Sequence, residues 1–163
     1  MKAAAAALLF SLPLVGAVGT AATVTVQHQP QVVGNTAVAD IPPAYQVLYQ
    51  DAGQGFNVPW QILAAIGKVE SDHGRNPNAY RPNYAGAVGP MQFLPATFAE
   101  YPWAAGHLDA DILDPHDAIF AAAAMLDHNG AATNLWGAIY SYNHAGWYVD
   151  LVLGWARRYG WQG

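Results

Sequence analysis

Trp60-Gln61-Ile62-Leu63-Ala64-Ala65-Ile66-Gly67-Lys68-Val69-Glu70-Ser71-Asp72-His73-Gly74-Arg75 is the stretch whose reading decides the fold. Ile62, Leu63 and Ile66 lie eight, seven and four residues before Glu70, so on a helix all three share its face. The pattern therefore puts a carboxyl group on a buried stripe, an expensive location for an unpaired charge. Gly74 reads as the helix stop, which leaves Glu70 in the last turn. Desolvation and the negative end of the helix dipole both disfavour a carboxylate there. Each unit of upward pKa shift is worth about 1.4 kcal/mol in favour of the protonated form. A carboxylic acid kept protonated near neutral pH is equipped to act as a general acid. The competing reading is a helix-end residue that reaches water or pairs with Lys68, Arg75 or Arg81. The chain holds only two glutamates, Glu70 and Glu100, which weighs against one of them being surface filler on an apolar face.

The bulk numbers narrow the field. A chain of 163 residues, 53% hydrophobic and 10% charged, has material for one compact domain with a tail. The net charge of −5 and the scatter of the six basic residues argue against nucleic acid, because no basic stripe exists to neutralise phosphates. Zero cysteines exclude disulfides and thiolate metal sites without deciding the compartment.

Lys2, an uncharged Ala/Leu-rich run from Ala3 to about Val18 and small residues at Gly19-Thr20-Ala21-Ala22 have the three parts of a secretory signal over residues 1–22. An uncleaved membrane anchor is the rival, since no charge follows Lys2 until Asp40. Either way the protein is expected to be exported. Residues 23–40, polar and Val/Gln-rich, read as a flexible linker, and 41–163 as the folded domain. Within it, helices are expected from Pro43 to the Gly53/Gly55 pair, from Pro59 to Gly74, from Pro95 to about Tyr101 and from Asp114 to Asn129-Gly130. Two more are expected from Asn134 to Gly146 and from Tyr148 to Tyr159, with proline at first turns and Asp or Asn as caps. Residues 74–95 hold no period and read as an ordered loop or a small β excursion. The expected class is mostly α, a single domain of about six helices.

Two further stretches carry chemistry. Gly86-Ala87-Val88-Gly89-Pro90-Met91-Gln92-Phe93 combines glycines that let backbone approach a ligand with a donor–acceptor amide. In Tyr140-Ser141-Tyr142-Asn143-His144-Ala145-Gly146, Tyr142 lies on the core-facing stripe. Its buried phenol needs a partner, which an acid such as Glu70 would supply. Asn143 stands at the edge of that face, able to hold a hydroxyl or an acetamido group. Glu70-Ser71, Gly89-Pro90-Met91-Gln92-Phe93 and Tyr142-Asn143-His144-Ala145, in this order and spacing, resemble the lytic transglycosylase (SLT-type) family, lysozyme-like enzymes that cleave peptidoglycan glycan strands. The resemblance runs from about Ile41 to Gly160. It implies Glu70 as the single catalytic acid/base, with Ser71 as a nearby substrate contact and Met91 and Gln92 lining the cleft. It also implies that Tyr142 hydrogen-bonds the glutamate and that Asn143 binds the sugar. Pro90 and His144 depart from the family's common Gly-Leu-Met-Gln and Tyr-Asn-Ala-Gly forms, which bears on subsite preference.

A glycosidase with two carboxyl groups would need a partner for Glu70. Asp72 is turned roughly 200° away on a helix, and Asp109, Asp111 and Asp114 are the remaining candidates. A substrate-assisted route with one carboxyl is therefore expected, ending in 1,6-anhydro-muramic acid. A lysozyme on the same fold and a non-catalytic peptidoglycan-binding module are the alternatives. Glu70 and His73 have the three-residue spacing of a di-iron ligand pair, but no second pair exists. No His-Glu-x-x-His motif is present and the six histidines are scattered, so no metal and no cofactor are expected. His73 and His144 read as rim or helix-end residues. Tyr45, Trp136 and Trp155 read as core, and the loop residues Tyr80, Tyr84, Tyr101 and Trp103 as cleft candidates. The expected partner is the glycan strand, met by a monomer.

Overall fold

The computed structural model describes residues 37–163; the expected leader and most of the expected linker lie outside the described residues. Six α-helices form the domain: α1 Pro43–Gly55, α2 Trp60–Ser71, α3 Pro95–Phe98, α4 Pro115–His128, α5 Leu135–Tyr142 and α6 Gly146–Arg158. Single 3-10 turns at Val38–Asp40 and Pro77–Tyr80 complete the regular structure. The expected β excursion is one isolated bridge, Val88 to Phe93, within the described residues. No helix among them is long and apolar enough to cross a membrane.

The helix starts follow the local signals. Asp114 caps α4 by accepting from His116 N at 2.7 Å, and Asn134 caps α5 by accepting from Gly137 N at 3.0 Å, each satisfying one of the free N–H groups of a first turn. Prolines occupy the first turns of α1, α3 and α4, where their missing N–H costs nothing. The last helices differ from expectation, because α5 stops at Tyr142 and α6 already begins at Gly146.

Helix α2 is the centre. It packs against α6 more extensively than any other helix pair does, and against α1 and α4 as well. Ile62, Leu63, Ala64, Ala65 and Ile66 are wholly buried. Helix α4 is as deep, with Ala118, Ile119, Ala121, Ala122, Ala123 and Leu126 at most 1% exposed, its small side chains allowing close helix approach. Gly67 plays the same part between α1 and α2. A Cβ there would stand 2.0 Å from the Tyr49 hydroxyl. Only glycine lets that tyrosine cross α2 and reach His73.

The end of α2 is unusual. The helix stops at Ser71, and Asp72 (φ 54°), His73 (φ 56°) and Gly74 (φ 75°) follow in left-handed conformation. The sequence points to Gly74 as the stop; the chain turns two residues earlier, on side chains that ordinarily cost roughly 1–2 kcal/mol per residue there. Asp72 is held by ion pairs to Lys68 and Arg75. His73 is 1% exposed between the hydroxyls of Tyr49 (Nδ1, 3.0 Å) and Tyr159 (Nε2, 3.1 Å). It is thus a core residue rather than the rim residue its sequence position suggests. Burial lowers its pKa to about 4, so the ring is neutral, with one nitrogen donating and the other accepting.

The folded part reaches upstream of Ile41. Val38 is buried, and Asp40 pairs with Lys68 at 2.7 Å and with Arg75 at 3.0 Å.

Candidate functional site

Three stretches far apart in the chain meet at the C-terminal end of α2. Glu70 sits in its last turn, largely buried, and its Oε1 accepts a 2.6 Å hydrogen bond from the hydroxyl of Tyr148 on α6. Burial pushes the Glu70 carboxyl up to about 7, against the opposing pull of the Tyr148 donor. Desolvation wins because a single neutral donor replaces a whole hydration shell. Tyr148 itself is 1% exposed, and burial beside Glu70 holds its phenol well above its ordinary range. It therefore remains a donor throughout the range in which Glu70 titrates. Among the described residues, Tyr148 is the one hydrogen-bond partner of Glu70.

The partner expected from sequence was Tyr142, and the structure corrects this. The Tyr142 hydroxyl donates to the Met91 carbonyl at 2.8 Å. Its ring stacks parallel to that of Tyr148, centroids 6.4 Å apart and planes 3° apart. Tyr142 thus shapes the pocket of Glu70 without bonding to it. The rule that a buried phenol needs a partner holds equally for Tyr148, which the three stretches singled out from the sequence do not include. The signal was the buried stripe Tyr148, Val149, Val152, Ala156 and Tyr159 of α6.

Ser71 is 1% exposed. Its Oγ donates to the Pro90 carbonyl at 2.6 Å and accepts from Gly74 N at 2.7 Å. The hydroxyl is committed to the protein, so Ser71 positions the loop instead of offering a free group to a ligand. Ser71 and Tyr142 together hold two successive carbonyls, those of Pro90 and Met91. This fixes the loop 86–93 beside Glu70. Met91 is fully buried, a core residue of the loop. Gln92 adopts φ 49°; its Nε2 donates to the Ala79 and Gly89 carbonyls, both at 2.9 Å, and its Oε1 accepts from Asn83 at 3.3 Å. The amide that sequence offers as a cleft group is mainly a brace of its own loop. Gly89 (φ 86°) is required twice over, by its backbone and because a Cβ would lie 2.2 Å from the Ile112 carbonyl oxygen.

Asn143 is exposed just beyond the end of α5, in extended conformation. Beside it a depression is lined by Gln92, Phe93, Leu94, Ser141, Tyr142 and His144. Its lining residue Tyr142 stacks on Tyr148, the hydrogen-bond partner of Glu70. Along the outer face of α5, Trp136 stacks on Tyr140 (5.1 Å, 13°), and His144 packs edge-on to Tyr140 (5.7 Å). Trp136 is 49% exposed and Tyr101 only 8%, so sequence spacing sorted these two the wrong way round. Tyr84 and Trp103 are exposed.

No second carboxyl group bonds to Glu70 or Tyr148 among the described residues. The three candidates before α4 are all engaged locally. Asp109 accepts from His107, Asp111 accepts from Leu113 N, and Asp114 caps α4. What this arrangement offers is one proton, held on a carboxyl whose affinity for it is matched to neutral pH, beside a rigid backbone wall.

A buried single acid at the end of a central helix, walled by a loop and by the end of the next-to-last helix, belongs to lysozyme-like folds. Residues 48–150 match the Transglycosylase SLT domain, well over half of the chain, and the protein belongs to that family. The matched span contains Glu70, the loop 86–93, Tyr142, Asn143 and Tyr148. It makes this a transglycosylase-type domain that acts on peptidoglycan, the polymer of the cell envelope. Neither a curated protein nor a solved structure matches the chain.

Proposed function

We propose that the protein is a peptidoglycan lytic transglycosylase that cleaves the β-1,4 bond between N-acetylmuramic acid and N-acetylglucosamine with Glu70 as its single acid/base. What supports this reading is the Glu70 carboxyl, whose burial raises its pKa to about 7 and whose one hydrogen-bond partner among the described residues is Tyr148. Glu70 delivers its proton to the glycosidic oxygen as the C1–O bond breaks, and the substrate's own 2-acetamido oxygen stabilises C1. The Glu70 carboxylate then takes the proton of the muramic acid 6-hydroxyl, whose oxygen closes onto C1 and displaces the acetamido group. No water is consumed and the proton ends on Glu70, ready for the next turn. A positioned acid/base of this kind contributes about 10²- to 10⁴-fold.

In this reading Tyr148 sets the acidity of Glu70, while Ser71 and Tyr142 hold the wall. Met91 and Gln92 shape the cleft, and Asn143 offers its exposed amide to the sugar. The exposed Trp136–Tyr140 stack, continuing to His144, suits stacking against pyranose rings. Residues 1–22 serve as signal or anchor and deliver the domain to the envelope, the compartment of its substrate.

The test is the mass of the fragments released from purified cell walls. Anhydro ends, lighter by one water and without a reducing end, are expected. Reducing muramic acid ends alone would mean that water is the acceptor and that the enzyme is a lysozyme.

A further inference from the structure

At the start of α4 the fold brings His107 against the neighbouring pair His116 and Asp117. The buried Asp117 Oδ1 stands 3.0 Å from His107 Nε2 and 3.0 Å from His116 Nδ1. All three atoms lie within 4.8 Å of one another. The two imidazoles are nearly parallel, planes 11° apart, and His116 is further fixed by stacking on Phe120 at 4.5 Å.

The valences of this cluster do not close with neutral rings. His107 Nδ1 faces Asp109 Oδ1 at 3.0 Å while its Nε2 faces Asp117. A neutral imidazole has one N–H to donate. If Nδ1–H serves Asp109, the Nε2 lone pair points at a carboxylate lone pair, and either a second ring proton or a metal ion must stand between them. Asp109 is almost fully exposed and open to water, so it is the buried Asp117 oxygen, shared by two imidazoles, that marks the metal position. Nitrogen and oxygen ligands about 2.0–2.1 Å from a tetrahedral zinc stand about 3.3 Å apart, close to the two separations found.

The surroundings have the form of a metal site's outer shell. The His107 nitrogen that would not bind metal faces the Asp109 carboxylate, the usual way in which a ligating histidine is oriented, while His116 is held by its ring contact with Phe120. The other oxygen of Asp117 accepts from Asp111 N at 2.8 Å, so the carboxylate is oriented too.

We propose that His107 Nε2, His116 Nδ1 and Asp117 Oδ1 bind a zinc ion, with water completing its coordination, and that the ion clamps the 107–111 loop onto the first turn of α4. Two imidazoles and one carboxylate favour a borderline divalent ion over calcium or magnesium, which take oxygen ligands. The clamped loop continues into Ile112, whose carbonyl lies against Gly89, so the ion steadies the outer support of the loop beside Glu70. It has no part in breaking the glycosidic bond.

The test is calorimetric titration of the chelator-treated full chain with Zn²⁺ near pH 7.5, with thermal melting in parallel. One zinc per chain is expected, together with a higher melting temperature in zinc and no rise in calcium. His107→Ala and His116→Ala, both at partly exposed positions, should each weaken binding by about tenfold or more and remove the thermal effect, with unchanged helical circular dichroism. Asp109→Asn should weaken it by a smaller factor, and His144→Ala should not change it. Absence of stoichiometric binding, or binding that survives both His107→Ala and His116→Ala, overturns the proposal, the latter as an adventitious ion only. Because the readout is binding and melting, the outcome is independent of whether the wall-cleaving reading stands.

Discussion

Glu70 and Asp72 stand two residues apart at the end of α2, and the fold treats their carboxyl groups in opposite ways. Glu70 faces inward to one phenol, and burial raises its pKa to about 7. Asp72 faces outward, with 45% of its side chain exposed. Its oxygens accept from Arg75 at 2.7 and 3.0 Å and from Lys68 at 2.5 Å, and these cations, Arg75 first, hold it well below the usual carboxylate range. Both groups are carboxyls on one helix end. What separates them is whether the proton competes with water and cations or with a hydrocarbon wall. The left-handed turn at Asp72 makes the separation possible, because it swings the chain out of the helix directly after Ser71.

Removing the inward member should have the largest effect. Glu70→Gln keeps shape and polarity but cannot transfer a proton, and wall clearing should fall by about 10²- to 10⁴-fold. Asp72→Asn should change the rate by less than about twofold, because an exposed pair contributes little. Equal losses in the two variants would erase the distinction.

The comparison sharpens in stability. A carboxyl whose folded pKa lies above its unfolded value contributes fully below the unfolded value and loses that contribution as pH rises through the folded one. For Glu70 the window runs from about 4.5 to about 7, a loss on the order of 3.5 kcal/mol at about 1.4 kcal/mol per unit. Denaturant melts of Glu70→Gln should lack this decline. His73 acts in the other direction. Its folded pKa, near 4, lies below its unfolded 6.5, so its contribution is lost as pH falls through that interval, in wild type and variant alike.

Tyr148→Phe should move Glu70 without removing it. The phenol lowers the acid's pKa, so its loss should shift the alkaline limb of the pH–rate profile upward by about one unit. Tyr142→Phe should leave that limb in place, since its hydroxyl serves Met91. A shift in the latter variant alone would reverse the two assignments. The smallest effect belongs to Asp72→Asn in stability, within about 1 kcal/mol and shrinking with added salt.

Local chemistry was legible in the chain. The prolines and the caps Asp114 and Asn134 marked helix starts, and the apolar spacing before Glu70 placed that residue on a buried face. The three stretches that identified the family proved to be physically joined, through Ser71 to Pro90 and Tyr142 to Met91. What the sequence did not reveal depends on contacts between distant elements. Tyr148 bonds to Glu70 across 78 positions. His73 was hidden because a left-handed backbone turns it inward, where helical spacing cannot be extended. Trp136 lies on an apolar-looking stripe but at its solvent edge. His107 and His116, scattered in sequence, converge only because an irregular loop folds back onto α4.

The distance between Glu70 and Tyr148 has a consequence for how the protein is made. A chain leaving the ribosome presents α2 long before α6. Until α6 docks, the Glu70 carboxyl lacks both its phenol and much of the wall that keeps water away, and its acidity is that of an ordinary glutamate. The tuned acid therefore exists only in the completed chain, and a fragment ending before Gly146 carries Glu70 without it.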